Sequence, residues 1–254
     1  MPKNSSQELK RELQKSRDPK RAEGSKRYFK TGPGEYGEGD IFFGQGVPEQ
    51  RNLAKKYLNL SLADLAKFLK SPIHEYRQVA LFILTYQYPK ASKEQRKKIF
   101  DFYLKNTKGI NNWDLVDSSA PKIVGEYLQD KNRTILYQLV KSKNLWERRI
   151  SVLATFAFIK NGDFTDALKI AKILLPDAHD LIHKAVGWML REVGKRDLAP
   201  EKKFLDAHAS QMPRTMLRYA IEKFPETERK KYLRKIPFFL SLRGTKQSKN
   251  PLLF

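Results

Sequence analysis

The chain has 254 residues, with 50 Lys+Arg against 28 Asp+Glu and a formal charge of +22 at pH 7. Hydrophobic residues make up 40% and include 15 Phe and 11 Tyr, enough for a core and against wholesale disorder. The absence of cysteine excludes a disulfide scaffold, a thiolate metal site, an iron–sulfur cluster and a cysteine nucleophile.

Residues 3–30 read as one charged helix or two, with a break at Asp18-Pro19. They hold ten basic and four acidic residues, so no apolar signal segment opens the chain, and the expected location is the cytoplasm. Residues 31–46 contain six of the 13 glycines and read as loop. Gly32, Gly34 and Gly37 spell a formal G-x-G-x-x-G. No apolar strand precedes it, Pro33 sits inside it, and Glu35, Glu38 and Asp40 would repel a pyrophosphate. A dinucleotide site is therefore excluded there.

From residue 48 to about 235 the apolar spacing is helical throughout, as in Leu62, Leu65, Ala66 and Leu69. Breakers recur at Ser71-Pro72, Tyr88-Pro89, 106–112, 130–132, Asn161-Gly162, Pro176-Asp177, Pro200 and Pro213. The longest strongly apolar run, 150–159, is about half a bilayer span. A charged residue opens an apolar helix at Arg77, Asp117, Arg149 and Lys184, at separations of 40, 32 and 35. That period predicts an all-α solenoid of HEAT or armadillo type, with a concave face lined by the second helix of each pair. The expected organisation is a single repeat domain over 1–238 and a disordered tail over 239–254.

The charge is uneven. Residues 1–30 carry +6 and residues 223–254 carry +7, so 13 of the 22 charges lie near the ends and read as solvated helix faces and loose termini. The +9 of the middle, with Arg77, Arg149 and Lys184 at the periodic position, reads as a phosphate-binding track interrupted by the carboxylate of Asp117.

Trp113 and Asp117 are i and i+4 on a predicted helix and share a face. An indole beside a carboxylate suits a cation. The same pair also fits a core tryptophan with a capping aspartate, and both readings stay open on the motif alone. Trp188 follows Gly187, which permits close approach of a partner or a neighbouring helix. Arg149, and Arg191 one turn past Trp188, could each bind a phosphate with a planar fork. His179 and His183 have chelating spacing, but no H-E-x-x-H and no third ligand accompany them, so no metal is expected. No nucleophile elbow and no P-loop sequence occurs.

These residues fall into a known pattern. The chain resembles the bacterial AlkD-type DNA glycosylases, HEAT-like-repeat enzymes of DNA alkylation repair. The likeness rests on Trp113-Asp114-Leu115-Val116-Asp117, Trp146-Glu147-Arg148-Arg149 and the stretch from Lys184 through Trp188 to Arg191-Glu192. Arg27-Tyr28-Phe29-Lys30 and Phe43-Gly44 to Pro48-Glu49 support it. It covers roughly 5–235.

The resemblance implies that Asp117 is catalytic, with Trp113, Trp188 and Arg149 completing the cleft set. Tyr28, Arg77, Arg148, Lys184 and Arg191 are the expected DNA contacts, Tyr28 and Arg191 by similarity. Gly46 stands where some members have a cleft glutamine, and Ala157 near a DNA-contacting lysine. The implied partner is double-stranded DNA containing alkylated purines, met by a monomer without metal, nucleotide cofactor or membrane. The damaged base is expected to stay in the duplex. A non-catalytic repeat module binding damaged or branched DNA is the alternative.

Overall fold

The computed structural model describes residues 5–234. Among them are fourteen α-helices and no strand, with one isolated bridge between Ile41 and Ile73. The helical periodicity is therefore borne out. The tail expected at 239–254 lies outside the described residues.

The helices start where short polar side chains can accept first-turn N–H groups. Asp18 caps the helix Pro19–Tyr28, Ser61 that of Leu62–Leu69, Ser92 that of Lys93–Lys105, and Asn144 that of Leu145–Lys160. The break predicted at Asp18-Pro19 is real: α1 is Ser6–Lys15 and α2 is Pro19–Tyr28.

The chain divides into two compact units, one ending at Asp130 and the other starting at Lys131. In the first, α3 (Val47–Lys56), α4 (Leu62–Leu69) and α7 (Trp113–Ala120) pack against α5 (His74–Gln87), as does α1. Residues 74–85 of α5 are all buried, polar ones included. α6 (Lys93–Lys105) packs on the turn after α7. That turn, Pro121–Gly125, is π-helical. Pro121 has no N–H for the regular ladder, and such turns recur at functional sites.

In the second unit, α9 (Leu145–Lys160), α11 (Asp180–Gly194) and α13 (Arg214–Ala220) pack in succession. α8 (Thr134–Leu139) and α10 (Thr165–Ile173) lie on α9, α12 (Leu198–His208) on α11, and α14 (Glu226–Arg234) on α13. Helix i packing on helix i+2, with its hairpin neighbour outside, is repeat architecture. α9 shows why the helices need one another: eleven of its residues are buried, among them Ile150, Leu153, Phe158 and Ile159. Each such side chain contributes roughly 1.5–3 kcal/mol when fully buried.

The periodic charged position keeps its register. Arg77 is the fourth residue of α5, and Asp117, Arg149 and Lys184 are the fifth of α7, α9 and α11.

The glycine-rich loop is tied to the first unit at Gly44. Its φ is 81°, and a Cβ there would lie 2.2 Å from the Asp18 carbonyl oxygen. Only glycine allows both the left-handed turn and that approach. Glu75 of α5 accepts the N–H groups of Phe43 and Gly44 at 3.0 and 2.8 Å, fixing the loop from below.

Candidate functional site

In the first unit the site is built on α7. Asn112 caps it, accepting the Trp113 N–H at 2.8 Å. Trp113 is half-buried. Its ring stacks on Phe29 at 5.4 Å and meets Tyr28 edge-on at 5.7 Å. Its side chain also hydrogen-bonds Tyr36. Three aromatic partners thus fix the indole plane. Asp117 lies one turn on, 6% exposed, and the spacing puts it on the same face of α7.

The two tyrosines do not serve as bases at neutral pH. Burial and then the charge of Asp114 push the Tyr28 hydroxyl up. Burial chiefly, with Asp114 adding, takes Tyr36 to about 12 against the opposing Trp113 hydrogen bond. The carboxylates nearest Trp113 along α7 are Asp114, its chain neighbour, and Asp117, one turn on.

Behind this wall lies a buried polar cluster. His74 Nε2 is 2.8 Å from Asp114 Oδ2, and Nδ1 is 3.2 Å from Asp40 Oδ2. Gln78 donates to Asp114 at 2.7 Å, and Asn112 reaches Asp40 at 3.5 Å. The His74 ring packs against Phe29 and Phe42 at 4.9 and 4.8 Å. Burial works against ionisation of Asp40, but His74 and Arg77 prevail and hold its carboxyl below the usual range.

Arg77 is placed differently from its prediction as a DNA contact. It is 3% exposed, donates to Asp40 Oδ1 at 2.7 Å and to the Ser71 carbonyl at 2.8 Å. It fastens the glycine-rich loop to α5. Arg77→Lys, which cannot span both acceptors, is expected to cost about 2 kcal/mol. The urea midpoint checks this.

In the second unit Arg149 is 2% exposed and donates to the Leu181 carbonyl of α11. Trp188 is half-buried, donates to Glu192 at 3.3 Å and tilts against Phe156 at 6.1 Å. Gly187 serves a neighbouring helix: a Cβ there would lie 2.3 Å from the Met216 carbonyl oxygen on α13.

Three of the cations expected to contact DNA from the second unit stand in ion pairs. Arg148 meets Asp177 at 2.7 Å and also donates to the Ser142 carbonyl at 3.0 Å. Lys184 meets Asp180 at 2.8 Å, and Arg191 pairs with Glu222. A paired, poorly exposed cation gains little by exchanging its carboxylate for a phosphate. These residues, like Arg77, hold helices and loops together.

Exposed cations also line α2, the helix that ends at Tyr28: Lys20, Arg21, Arg27 and Lys26, the last paired with Glu23 at 3.1 Å. In the sequence this N-terminal charge reads only as a solvated face. Tyr36, Phe29, His74, Asp40 and Asp114 have no predicted role either. A signal was available for Asp114, which sits inside the Trp113–Asp117 motif, and for Phe29, inside Arg27–Lys30, but none for the rest. Among the described residues no group of acidic residues and histidines could hold a metal.

The chain belongs to the DNA alkylation repair enzyme family, whose sequence model matches residues 9–224. A role in DNA repair follows from that membership. No curated protein matches the chain significantly. Among solved structures, a predicted DNA alkylation repair enzyme from Enterococcus faecalis is 18% identical, with a TM-score of 0.64 over 83% of this chain and 97% of its own. It shares the all-α helical fold. The smu.31 protein of Streptococcus mutans UA159 is also 18% identical, covering 86% of this chain and 98% of its own, with a TM-score of 0.49.

Proposed function

We propose that the protein is a monofunctional DNA glycosylase that hydrolyses the N-glycosidic bond of N3- and N7-alkylated purines in duplex DNA, with Asp117 as the catalytic carboxylate. The observation that carries this is the Trp113–Asp117 pair, one turn apart on α7, with the indole held by Phe29, Tyr28 and Tyr36. An alkylated N7 or N3 makes the purine a cation. As the C1′–N bond breaks, its electron pair leaves with the base, which departs neutral, so no general acid is needed. Positive charge grows on the sugar. Asp117 stabilises that oxocarbenium ion and orients the water that adds to C1′, and the water's proton passes to solvent. Trp113 packs on the sugar and adds cation–π attraction. One carboxylate suffices where glycosidases use two.

Trp188 is assigned a further DNA contact, Arg149 the placing of α11, which carries Trp188, through the Leu181 carbonyl, and the exposed cations of α2 the flanking phosphates. The enzyme acts as a cytoplasmic monomer, with no step that requires a cofactor. No helix among the described residues is long and apolar enough to cross a membrane.

The test is leaving-group charge. Base release is compared between duplexes carrying 7-methylguanine, which is cationic, and hypoxanthine, which is neutral. The expected result is release of 7-methylguanine alone. DNA binding without release of either base would favour the non-catalytic repeat module, and equal release would mean that a general acid operates.

A further inference from the structure

The glycosylase chemistry makes no use of the buried histidine of the first unit. His74 is 2% exposed and opens α5. Its two ring nitrogens meet carboxylates from two other segments, Asp40 of the glycine-rich loop and Asp114 of α7. We propose that His74, held as the imidazolium between Asp40 and Asp114, is a positioning residue that sets Trp113 and the first turn of α7 for the reaction proposed above.

The geometry requires the cation. A neutral imidazole has one N–H donor and one lone pair, and here both nitrogens face carboxylate oxygens. Only the doubly protonated ring donates at both ends. The charged groups around it are Asp40 from the loop, Asp114 from α7, and Arg77 one turn along on α5 itself. Gln78 and Asn112 complete the cluster as neutral donors. Two carboxylates against His74 and Arg77 make it neutral overall. Loss of the His74 proton leaves a buried negative charge and one ring nitrogen facing a carboxylate lone pair.

Two routes lead from this ring to the site. Asp114 is the chain neighbour of Trp113, and its other oxygen accepts the Leu115 N–H at 2.9 Å, inside the first turn of α7. Phe29 touches both the His74 ring and the Trp113 ring, at 4.9 and 5.4 Å. When His74 lets go of Asp114, the cap of α7 and the stack under Trp113 loosen together. His74 touches no substrate in this scheme and acts only through Trp113 and α7.

Burial alone would pull the imidazole pKa down. The charge and hydrogen bond of Asp114, with the bond from Asp40, outweigh burial and bring it up to about 9. The folded value thus exceeds the ordinary one near 6.5. The contribution of the clamp is complete below about pH 6.5 and is lost as pH rises through about 9.

The test rests on the glycosylase reading in one arm and is independent of it in the other. In the first arm, single-turnover release of 7-methylguanine is followed from pH 6 to 10 for wild type, Asp114→Asn and His74→Gln. Wild type is expected to hold its rate to about pH 8.5 and fall beyond. Asp114→Asn should move that fall at least one pH unit lower, because the carboxylate that raises His74 is gone. His74→Gln should lose on the order of tenfold in rate with little change in DNA affinity, and its profile should lose the alkaline fall. An unmoved fall in Asp114→Asn, or a wild-type rate in His74→Gln, overturns the proposal.

In the second arm, the His74 ring and the Trp113 indole N–H are titrated by NMR in the free full-length protein, each assigned by its own substitution. A shared midpoint near 9, lowered in Asp114→Asn, supports the clamp even if no base is released at all. A His74 midpoint near 6.5, or an indole resonance that ignores it, overturns the clamp even if the enzyme is active.

Discussion

Gly187→Leu is expected to unfold the second unit or to lower its stability by about 4 kcal/mol or more. Glycine inside a helix is ordinarily a weakness, worth about 1 kcal/mol against alanine. At this position the sign reverses. A Cβ would lie 2.3 Å from the Met216 carbonyl oxygen, 2.5 Å from the Tyr219 Cβ and 3.2 Å from the Ala220 nitrogen. Two of these are backbone atoms of α13 and its end, which cannot swing aside as a side chain tip could. α11 and α13 must separate to admit any side chain, and cavities open along the buried row of Val186, Leu190, Met216 and Leu217. Even Gly187→Ala should therefore destabilise, by about 2 kcal/mol, despite its better helix propensity. Urea unfolding followed by circular dichroism reads both variants. A Gly187→Ala protein more stable than wild type would show that the two helices are not held at this distance.

Gly187 was legible in the sequence because a glycine inside an apolar helical run, beside a tryptophan, leaves room for another backbone to approach. The helices themselves were legible for the same kind of reason: spacing of three and four is local, and so are caps such as Ser61 and Asn144. The periodic charged position was legible as a register, since it recurs at the fourth or fifth residue of α5, α7, α9 and α11. What that position does was not legible. The acceptors of Arg77 are Asp40, 37 residues away, and the Ser71 carbonyl. Those of Arg149 include the Leu181 carbonyl, 32 residues away. No periodicity reports such pairs, and a lone Lys or Arg looks free until its partner is placed.

The same blindness hid the support of the site. Residues 31–46 read correctly as loop, yet they deliver Asp40 to His74 and Tyr36 to Trp113. His74 stood out only as one of four histidines. Its partners are 34 and 40 residues away. The charge of residues 1–30 looked uninformative because of its position near an end. Folding brings the end of α2 under Trp113, so that charge borders the site.

Asp117→Asn is expected to lower the single-turnover rate of alkylpurine release by roughly 10²–10³-fold, the scale for removing one group aimed at charge that develops in the transition state. Asparagine keeps the size of the side chain and one acceptor oxygen, so folding and DNA affinity should change little. What it lacks is the negative charge. The alkylated base is already a cation before the bond breaks, and it becomes neutral by taking the bonding electron pair as it leaves. The positive charge on the sugar exists only near the transition state. The loss should therefore fall on the rate at saturating enzyme and hardly on the dissociation constant. A core role for Asp117, as a simple cap or packing residue, predicts the reverse: a drop in stability with no specific loss of rate.

The decisive comparison is free 7-methylguanine released from a defined duplex by saturating wild-type protein and by Asp117→Asn, with DNA binding measured on the same preparations. The account predicts release well above the spontaneous rate by wild type, near-spontaneous release by the variant, and similar binding by both. Equal release by the two proteins, or release by neither above the spontaneous rate, would contradict it.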